Sequence, residues 1–314
     1  MTTQSMTPQR TNDQIDQAAR RSRLTRKYLG MAGLYAVQFF FFLVFVFPLL
    51  FMLMSSFKDN TQIFSDLRSL RAFAPVGELS WVNYKAVFDN SRFARFLINS
   101  LAISTVTIFL SLFVNSMAAY SLSRLRWRGQ KAVLAIIVAT LVIPGETVIM
   151  PLLLLVSKLP GLTFAEGRIM MTHTWLNSYH VQIIPFIAGA FSIYLFYQFF
   201  QDIPRELDEA AVVDGAGRFQ IYWKIIVPNS GPVFATVTIL TFLGAWNSFL
   251  WPIMVIQSED LRPVMVGMQY FFQQDMEWGQ VMAYATMVTI PVLAVFMAFQ
   301  GAFVRSIAGT GIKG

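Results

Sequence analysis

Charged residues fall in blocks along this chain, and six long intervals between the blocks hold almost none: residues 30–57, 96–123, 132–157, 169–201, 225–258 and 278–304, with one carboxylate, Glu146, inside the third. A bilayer-crossing helix needs about 20 predominantly apolar residues and tolerates ions poorly. The intervals therefore predict helices over residues 32–54, 97–120, 132–156, 181–200, 233–256 and 281–303. An even number of spans puts both ends of the chain on one side. Pro48, Pro144, Pro151, Pro185, Pro252 and Pro291 punctuate the spans. Single prolines are common in membrane helices, but several together suit a bundle in which neighbouring helices or a wet pathway satisfy the freed carbonyls. The organisation that follows is a polar tail over 1–29, a spanning domain over 30–304 with a polar loop at 202–228, and a short tail over 305–314.

Composition agrees with a lipid-embedded protein. The 314 residues are 55% hydrophobic and 13% charged, against roughly a quarter charged in soluble domains. Thirty phenylalanines are tolerable where acyl chains already exclude water. The net charge of +7 is explained by loops rather than by a nucleic-acid partner, because cytoplasmic segments collect Lys and Arg. With the N-terminus inside, the inner segments hold fifteen Lys and Arg, including the cluster Arg124, Arg126, Arg128 and Lys131, and the outer loops hold nine. Both termini are accordingly expected in the cytoplasm. The apolar run that follows the polar N-terminal residues is too long for a signal-peptide core, so the segment reads as a retained tail. Its residues 13–29 suit either a basic helix lying on anionic headgroups or a disordered stretch. The absence of cysteine excludes disulfides, thiol catalysis and cysteine-ligated metal sites.

The loop at 205–228, RELDEAAVVDGAGRFQIYWKIIVP, spends many ionisable residues between two uncharged runs, which implies a soluble docking partner. Residues 203–213 are good helix formers, with Pro204 suited to the first helical position and Glu206, Asp208 and Glu209 near the positive end of the dipole. Ala210 and Ala211 keep one face thin, Gly215 and Gly217 break the helix, and a second helix is expected from Phe219 onward. A merely interfacial amphipathic helix would share this composition. The spacing decides against it: Glu209, Ala210 and Ala211, three residues, Gly215, nine residues, then Ile225, Ile226, Val227 and Pro228 resemble the EAA motif of ATP-binding-cassette importer permeases, with Val227 in place of the usual leucine. The resemblance implies a coupling helix whose glutamate, here Glu209, pairs with a basic residue of an ATPase subunit.

Further stretches resemble the carbohydrate-uptake permeases of the maltose-transporter kind: Asn99, Ser100 and Leu101 opening the second span, AYSLSRLRWRG at 119–129, FLGAWNSFLWPI at 242–253 and SIAGTGIKG at 306–314. This resemblance implies an all-α, six-transmembrane-helix permease bundle in a bacterial or archaeal cytoplasmic (inner) membrane. It implies a heterodimer with a sister permease, an ATPase dimer and an extracytoplasmic solute-binding protein, with membrane lipid around the bundle. It also implies that Gly309, Gly311, Lys313 and Gly314 reach the ATPase dimer interface, unless they are a frayed end, and that Phe271, Phe272, Gln273, Gln274 and Asp275 probe the open cleft of the binding protein.

No phosphate-cradling GxxxxGK[ST] loop is present, so ATP and Mg are expected on the partner ATPase and no cofactor on this chain. Glu146 would cost on the order of 2.5–3.5 kcal/mol facing lipid, so it is expected to face the bundle or a wet end, in the pathway or bonded to broken backbone. Trp246 and Asn247 offer a stacking face and a hydrogen-bonding group of the kind a sugar needs, although tryptophan is ordinary at membrane interfaces. His173 and His180 lack acidic neighbours at ligand spacing and read as interfacial residues. A stand-alone ion-coupled secondary transporter is the competing reading, with one intramembrane carboxylate as its only coupling group. A membrane enzyme lacks any nucleophile, base or metal constellation such as HExxH or GxSxG.

Overall fold

The computed structural model describes residues 8–165, 168–273 and 276–311. Lipid offers no hydrogen bonds to the backbone, and the uncharged intervals accordingly become helices. Three are continuous and span-length among the described residues: α1 (Pro8–Ser55), α4 (Phe93–Ser123) and α15 (Trp278–Gly311). The N-terminal stretch expected as a separate interfacial helix or as disorder is instead one piece with the first span, a helix of 48 residues or about 72 Å. Short helices α2 (Asn60–Asp66) and α3 (Val82–Asn90) form the first outer loop. There the buried Lys58 is held 2.9 Å from Asp66 Oδ2 and donates to Arg71 O at 2.7 Å.

The other three intervals differ from the continuous helices expected. Residues 132–156 fold as α5 (Gln130–Thr140) and α6 (Gly145–Val156), bent by 103°. Residues 181–200 fold as α7 (Tyr179–Ile183), a 3₁₀ turn at Ile184–Phe186, and α8 (Ala190–Asp202), bent by 43°. Residues 233–256 split into α11 (Gly231–Trp246) and α12 (Leu250–Val255). A proline lies near each interruption. Its missing N–H suits the first turn of a helix, so a new helix can open beside it. Pro144 caps α6 with extended ψ, Pro185 precedes the extended Gly189, and Pro252 sits in the first turn of α12, where its missing donor costs nothing. Among the described residues the fold is all-α apart from one element the sequence pattern did not announce, an antiparallel pair of β1 (Gly161–Ala165) and β2 (Arg168–Thr172) in register from Gly161↔Thr172 to Ala165↔Arg168.

Helices α4, α8, α11 and α15 form the packed bundle. Its inner end is filled by Tyr120, Phe196, Phe200, Tyr222 and Ile226, and its outer end by Phe93, Phe96, Phe242, Trp246 and Tyr284. The span in α1 leaves its whole apolar window exposed, a surface for lipid or another subunit. α4 buries an opposite kind of stripe. Ser100, Ser104, Thr107, Ser111 and Asn115, spaced four, three, four and four apart, lie on one helical face inside the bundle.

Candidate functional site

The polar loop forms α9 (Glu206–Val213), a turn, α10 (Arg218–Ile221) and a π-helical turn at Tyr222–Ile226. α9 starts later than the composition suggests. Ile203 precedes Pro204 and is therefore extended (φ −73°, ψ 130°), so Pro204 lies ahead of the helix rather than in its first turn. Glu206, Asp208 and Glu209 occupy that turn and favour the dipole. The end of α9 is a two-bond stop: Ala216 N–H donates to Ala211 O (2.8 Å) and Gly215 N–H to Val212 O (3.0 Å), which requires left-handed backbone at Gly215, φ +81°. Gly217 is extended with ordinary φ and instead donates its N–H to Gln220 Oε1 at 2.8 Å, so the second helix opens at Arg218, one residue earlier than expected.

The two alanines part company. Ala210 is exposed beside the exposed Glu209, while Ala211 turns inward and packs on the inner core. Ile225 packs on the same core, and Pro228 opens a 3₁₀ turn, Pro228–Ser230, that leads into α11. The outward face of α9 therefore combines Glu209 and the small Ala210 with the exposed apolar side chains of Leu207, Val212 and Val213, and the inward face is fastened.

The fastener is Arg124, at the end of α4, whose side chain is 2% exposed. Its Nη1 lies 3.2 Å from Asp208 Oδ2, and its Nη2 donates to Ile203 O at 2.6 Å and to Phe200 O. A planar guanidinium suits such a divided task because its donors diverge in a fixed fork. Arg205 donates back to Ser123 O (3.2 Å), Tyr120 OH to Arg218 O (2.8 Å), and Ser116 and Tyr222 hydroxyls meet at 2.7 Å. One helix, α4, thus grips both halves of the loop. In the sequence Arg124 stands out as a topology marker and as part of the 119–129 stretch, but nothing local reports its bond to Asp208.

A second site lies inside the bundle. A cavity of about 210 Å³ is bordered by Ser100, Thr107 and Ser111 of α4, Gln182 of α7, Ser192 of α8, Thr241 and Gly244 of α11, and Ser248. Both helix interruptions, at 187–189 and 247–249, touch it through Gly189 and Ser248. No charged side chain is among the described lining residues. Its outer wall is the segment that includes the turn Glu259–Leu261 and Pro263 and leads into α13 (Val264–Gly267); it is tied down at the exposed rim by Arg92, which pairs with Asp260, and by Arg95 Nε, which donates to Asp260 O at 3.1 Å, and further in by neutral side chains. Asn99 Nδ2 donates to Asp260 O (2.8 Å) and Arg262 O (2.9 Å), Gln182 Nε2 to Leu261 O (3.2 Å) and Tyr284 OH to Val264 O (2.6 Å), while Ser100 Oγ accepts from Val264 N–H (2.8 Å). Asn99 Oδ1 in turn accepts from Tyr179 OH at 2.9 Å. The sequence signal for this site was the stripe of small polar residues along α4, too bland one residue at a time to stand out.

Several expected site residues are placed elsewhere. Trp246 is fully buried and stacked on Phe242 at 5.2 Å, a core side chain rather than an open platform. Asn247 is exposed at the end of α11, next to Ser248 but outside the cavity lining. Glu146 does not face the bundle; it is exposed in the first turn of α6, where the helix dipole favours its charge. Phe271 is buried against Tyr284 (5.3 Å between ring centres) and anchors rather than probes, whereas Phe272 is exposed. Gln273 ends α14 (Tyr270–Gln273), and Gln274 and Asp275 lie outside the described residues. The tail is helical through Gly309 and Gly311 as the continuation of α15, with Lys313 and Gly314 outside the described residues. His180 packs edge-on against Trp175, and among the described residues no three His, Asp or Glu gather as metal ligands.

Comparison with known proteins agrees with this geometry. The family described as "Binding-protein-dependent transport system inner membrane component" matches residues 108–309. A probable ABC transporter permease protein of Bacillus subtilis, YurM, is 30% identical over 292 residues, covering 91% of this chain and 90% of that protein. The arabinooligosaccharides transport system permease protein AraQ of Halalkalibacterium halodurans is 30% identical over 86% of this chain and 91% of its own length. The fold matches a chain of a bacterial ABC transporter involved in the import of the acidic polysaccharide alginate, with a TM-score of 0.69 at 22% identity, covering 96% of this chain and 100% of the other.

Proposed function

Because the chain belongs to the family of binding-protein-dependent transport system inner membrane components, and so is a multi-pass, non-catalytic permease subunit of an ABC importer, we propose that it forms half of the translocation path for a sugar, oligosaccharide or related glycoside or polyol. A sister permease supplies the other half, a separate ATPase dimer binds ATP and Mg, and an extracytoplasmic solute-binding protein delivers the cargo, in the cytoplasmic membrane. The carbohydrate class is supported by the names of the relatives, which include permeases for arabinooligosaccharides, starch degradation products and lactose.

One observation carries the coupling role. α9 presents Glu209 and Ala210 outward beside the exposed apolar side chains of Val212 and Val213, a surface suited to a partner, while Arg124 binds its inward face to α4, the helix that lines the cavity. A push on α9 is thereby delivered to the wall of the pathway. A tagged chain should copurify a sister permease and an ATPase, and Glu209→Ala should lose the ATPase and the uptake while the chain still inserts in the membrane. Retention of both in that variant would refute the role.

A further inference from the structure

We infer that the first outer loop is seated in the outer leaflet of the bilayer, where Phe64, Leu67 and Leu70 meet phospholipid acyl chains and Arg68 and Arg71 meet the phosphates. The path of the chain sets the depth. Counted from Leu29, just past the charges of Arg26 and Lys27, α1 rises about 27 Å to Phe47 and about 39 Å to Ser55. The hydrocarbon core is about 30 Å thick, so Phe47 lies near its outer edge and Ser55 at the surface of the headgroups. Beyond Lys58 the chain turns back down α1: the ring of Phe73 stacks on Phe47 with 3.6 Å between centres and meets Phe51 at 5.8 Å. It then climbs again, and Ser80 N–H donates to Phe57 O at 2.9 Å. The 3₁₀ turn Leu70–Phe73 is therefore the lowest part of the loop, level with the boundary between headgroups and acyl chains.

The outward side chains suit that depth. Phe64, Leu67 and Leu70 recur every third residue along α2 and the turn after it, an exposed stripe apart from the buried Ile63 and Asp66. They are 54%, 52% and 81% exposed. Arg68 and Arg71 stand exposed on either side of Leu70. Leucine and phenylalanine interleaved with arginine is the composition of a segment that lies in a membrane interface. The span of α1 beneath is wholly exposed, so the stripe extends an apolar surface already at lipid depth.

The backbone is prepared for scarce water as well. Irregular chain at such a depth needs internal partners for its carbonyls. The buried Lys58 donates from Nζ to Arg71 O at 2.7 Å, Ala74 N–H donates to the same oxygen at 3.2 Å, and Gln62 Nε2 donates to Val76 O at 2.6 Å. The seat is also fastened to the bundle. Asn83 Nδ2 donates to Ser56 O (3.0 Å) and Lys58 O (2.8 Å), and Asn60 Oδ1 accepts from Gly279 N–H at 3.3 Å. Lipid contact at the stripe thus fixes the height of the outer end of α1 and of the start of α15.

The chain holds no cysteine, which makes the test direct. Leu70→Cys and Glu78→Cys, each carrying a bimane fluorophore, are reconstituted with the copurifying subunits into bilayers of phosphatidylethanolamine and phosphatidylglycerol. Each is measured with and without phosphatidylcholine brominated on its acyl chains, and with aqueous iodide. Brominated lipid should quench the label at 70 by about twofold and leave that at 78 unchanged, and iodide should quench the label at 78 more strongly than that at 70. Adding Leu70→Asp to a labelled Leu67→Cys should remove about half or more of the lipid quenching at 67, because a carboxylate draws the turn toward water. Leu67→Cys alone is the second reporter if Leu70→Cys fails to assemble. Quenching by iodide without quenching by brominated lipid would place the loop in water. Protection from both would mean that a protein subunit covers the stripe, and either result overturns the inference.

Discussion

Near its outer end α4 holds the wall of the cavity through Asn99, whose neutral amide donates to two backbone carbonyls and accepts from Tyr179. At its inner end the same helix holds α9 through Arg124, a buried guanidinium shared between the Asp208 carboxylate and two carbonyls. The outer tie is a set of separate bonds, from neutral amides and hydroxyls and, at the exposed rim, from Arg92 and Arg95 to Asp260, each worth about 0.5–1.5 kcal/mol net or less, that can be released one at a time. The inner tie cannot be taken apart gradually, because removing one partner strands a desolvated charge. A transporter that is pushed from inside and must open outside needs this asymmetry: a stiff joint where force enters and a releasable wall where cargo arrives.

Arg124→Met should break the comparison most severely. It leaves Asp208, only 20% exposed, without its cation and Ile203 O without its side-chain donor, at a cost of about 3–5 kcal/mol. Uptake per ATP hydrolysed, measured in proteoliposomes, should collapse. Arg124→Lys should restore little, since a single ammonium cannot reproduce the fork.

Asn99→Leu attacks the other end and should cost less, about 1–3 kcal/mol for the bonds lost. Hydrogen exchange at the amides of residues 260–264 should speed up while the ATPase remains attached. Faster exchange in the coupling loop instead would contradict the division of roles.

Gly215→Val sharpens the inner side. Space is open around Gly215, so the penalty comes only from holding a branched residue at φ +81°, about 1–2 kcal/mol, and should appear as uncoupled hydrolysis.

The smallest effect concerns the buried charge pair of the first outer loop, Lys58 with Asp66. The hydrogen bond from Lys58 holds the Asp66 carboxyl below the usual carboxylate range, against partial burial, with the charges of Lys58 and Arg71 adding. A group with a lowered folded value stabilises above the ordinary value of about 4 and loses that contribution as pH falls through the folded one. Exchange protection of residues 58–73 should therefore persist at neutral pH and fade only in acid. In Asp66→Asn it should be low at both.

These two ends were not equally legible beforehand. The coupling loop could be read because its determinants are contiguous: Glu209, Gly215 and Pro228 sit at fixed spacing, and Gly215 does take the left-handed conformation that its place implies. The cavity draws single Ser, Thr and Gly residues from α4, α7, α8 and α11, and no local pattern reports on residues that meet only after packing. Charge-free intervals located all six hydrophobic regions, yet composition carries no direction. Pro144, Pro185 and Pro252 were visible as interruptions, but the 103° turn between α5 and α6 was not. Trp246 and Phe271 misled for a related reason, because a large aromatic beside polar residues is equally suited to a site or to a core.

The central claim is that α9 meets the ATPase with one face and α4 with the other. Single cysteines at Glu209, Ala210 and Ala211 in this cysteine-free chain, cross-linked in the assembled importer, test it most directly. Positions 209 and 210 should cross-link to the ATPase subunit and position 211 should not. Cross-linking at 211, or none at 209 and 210, would contradict the account.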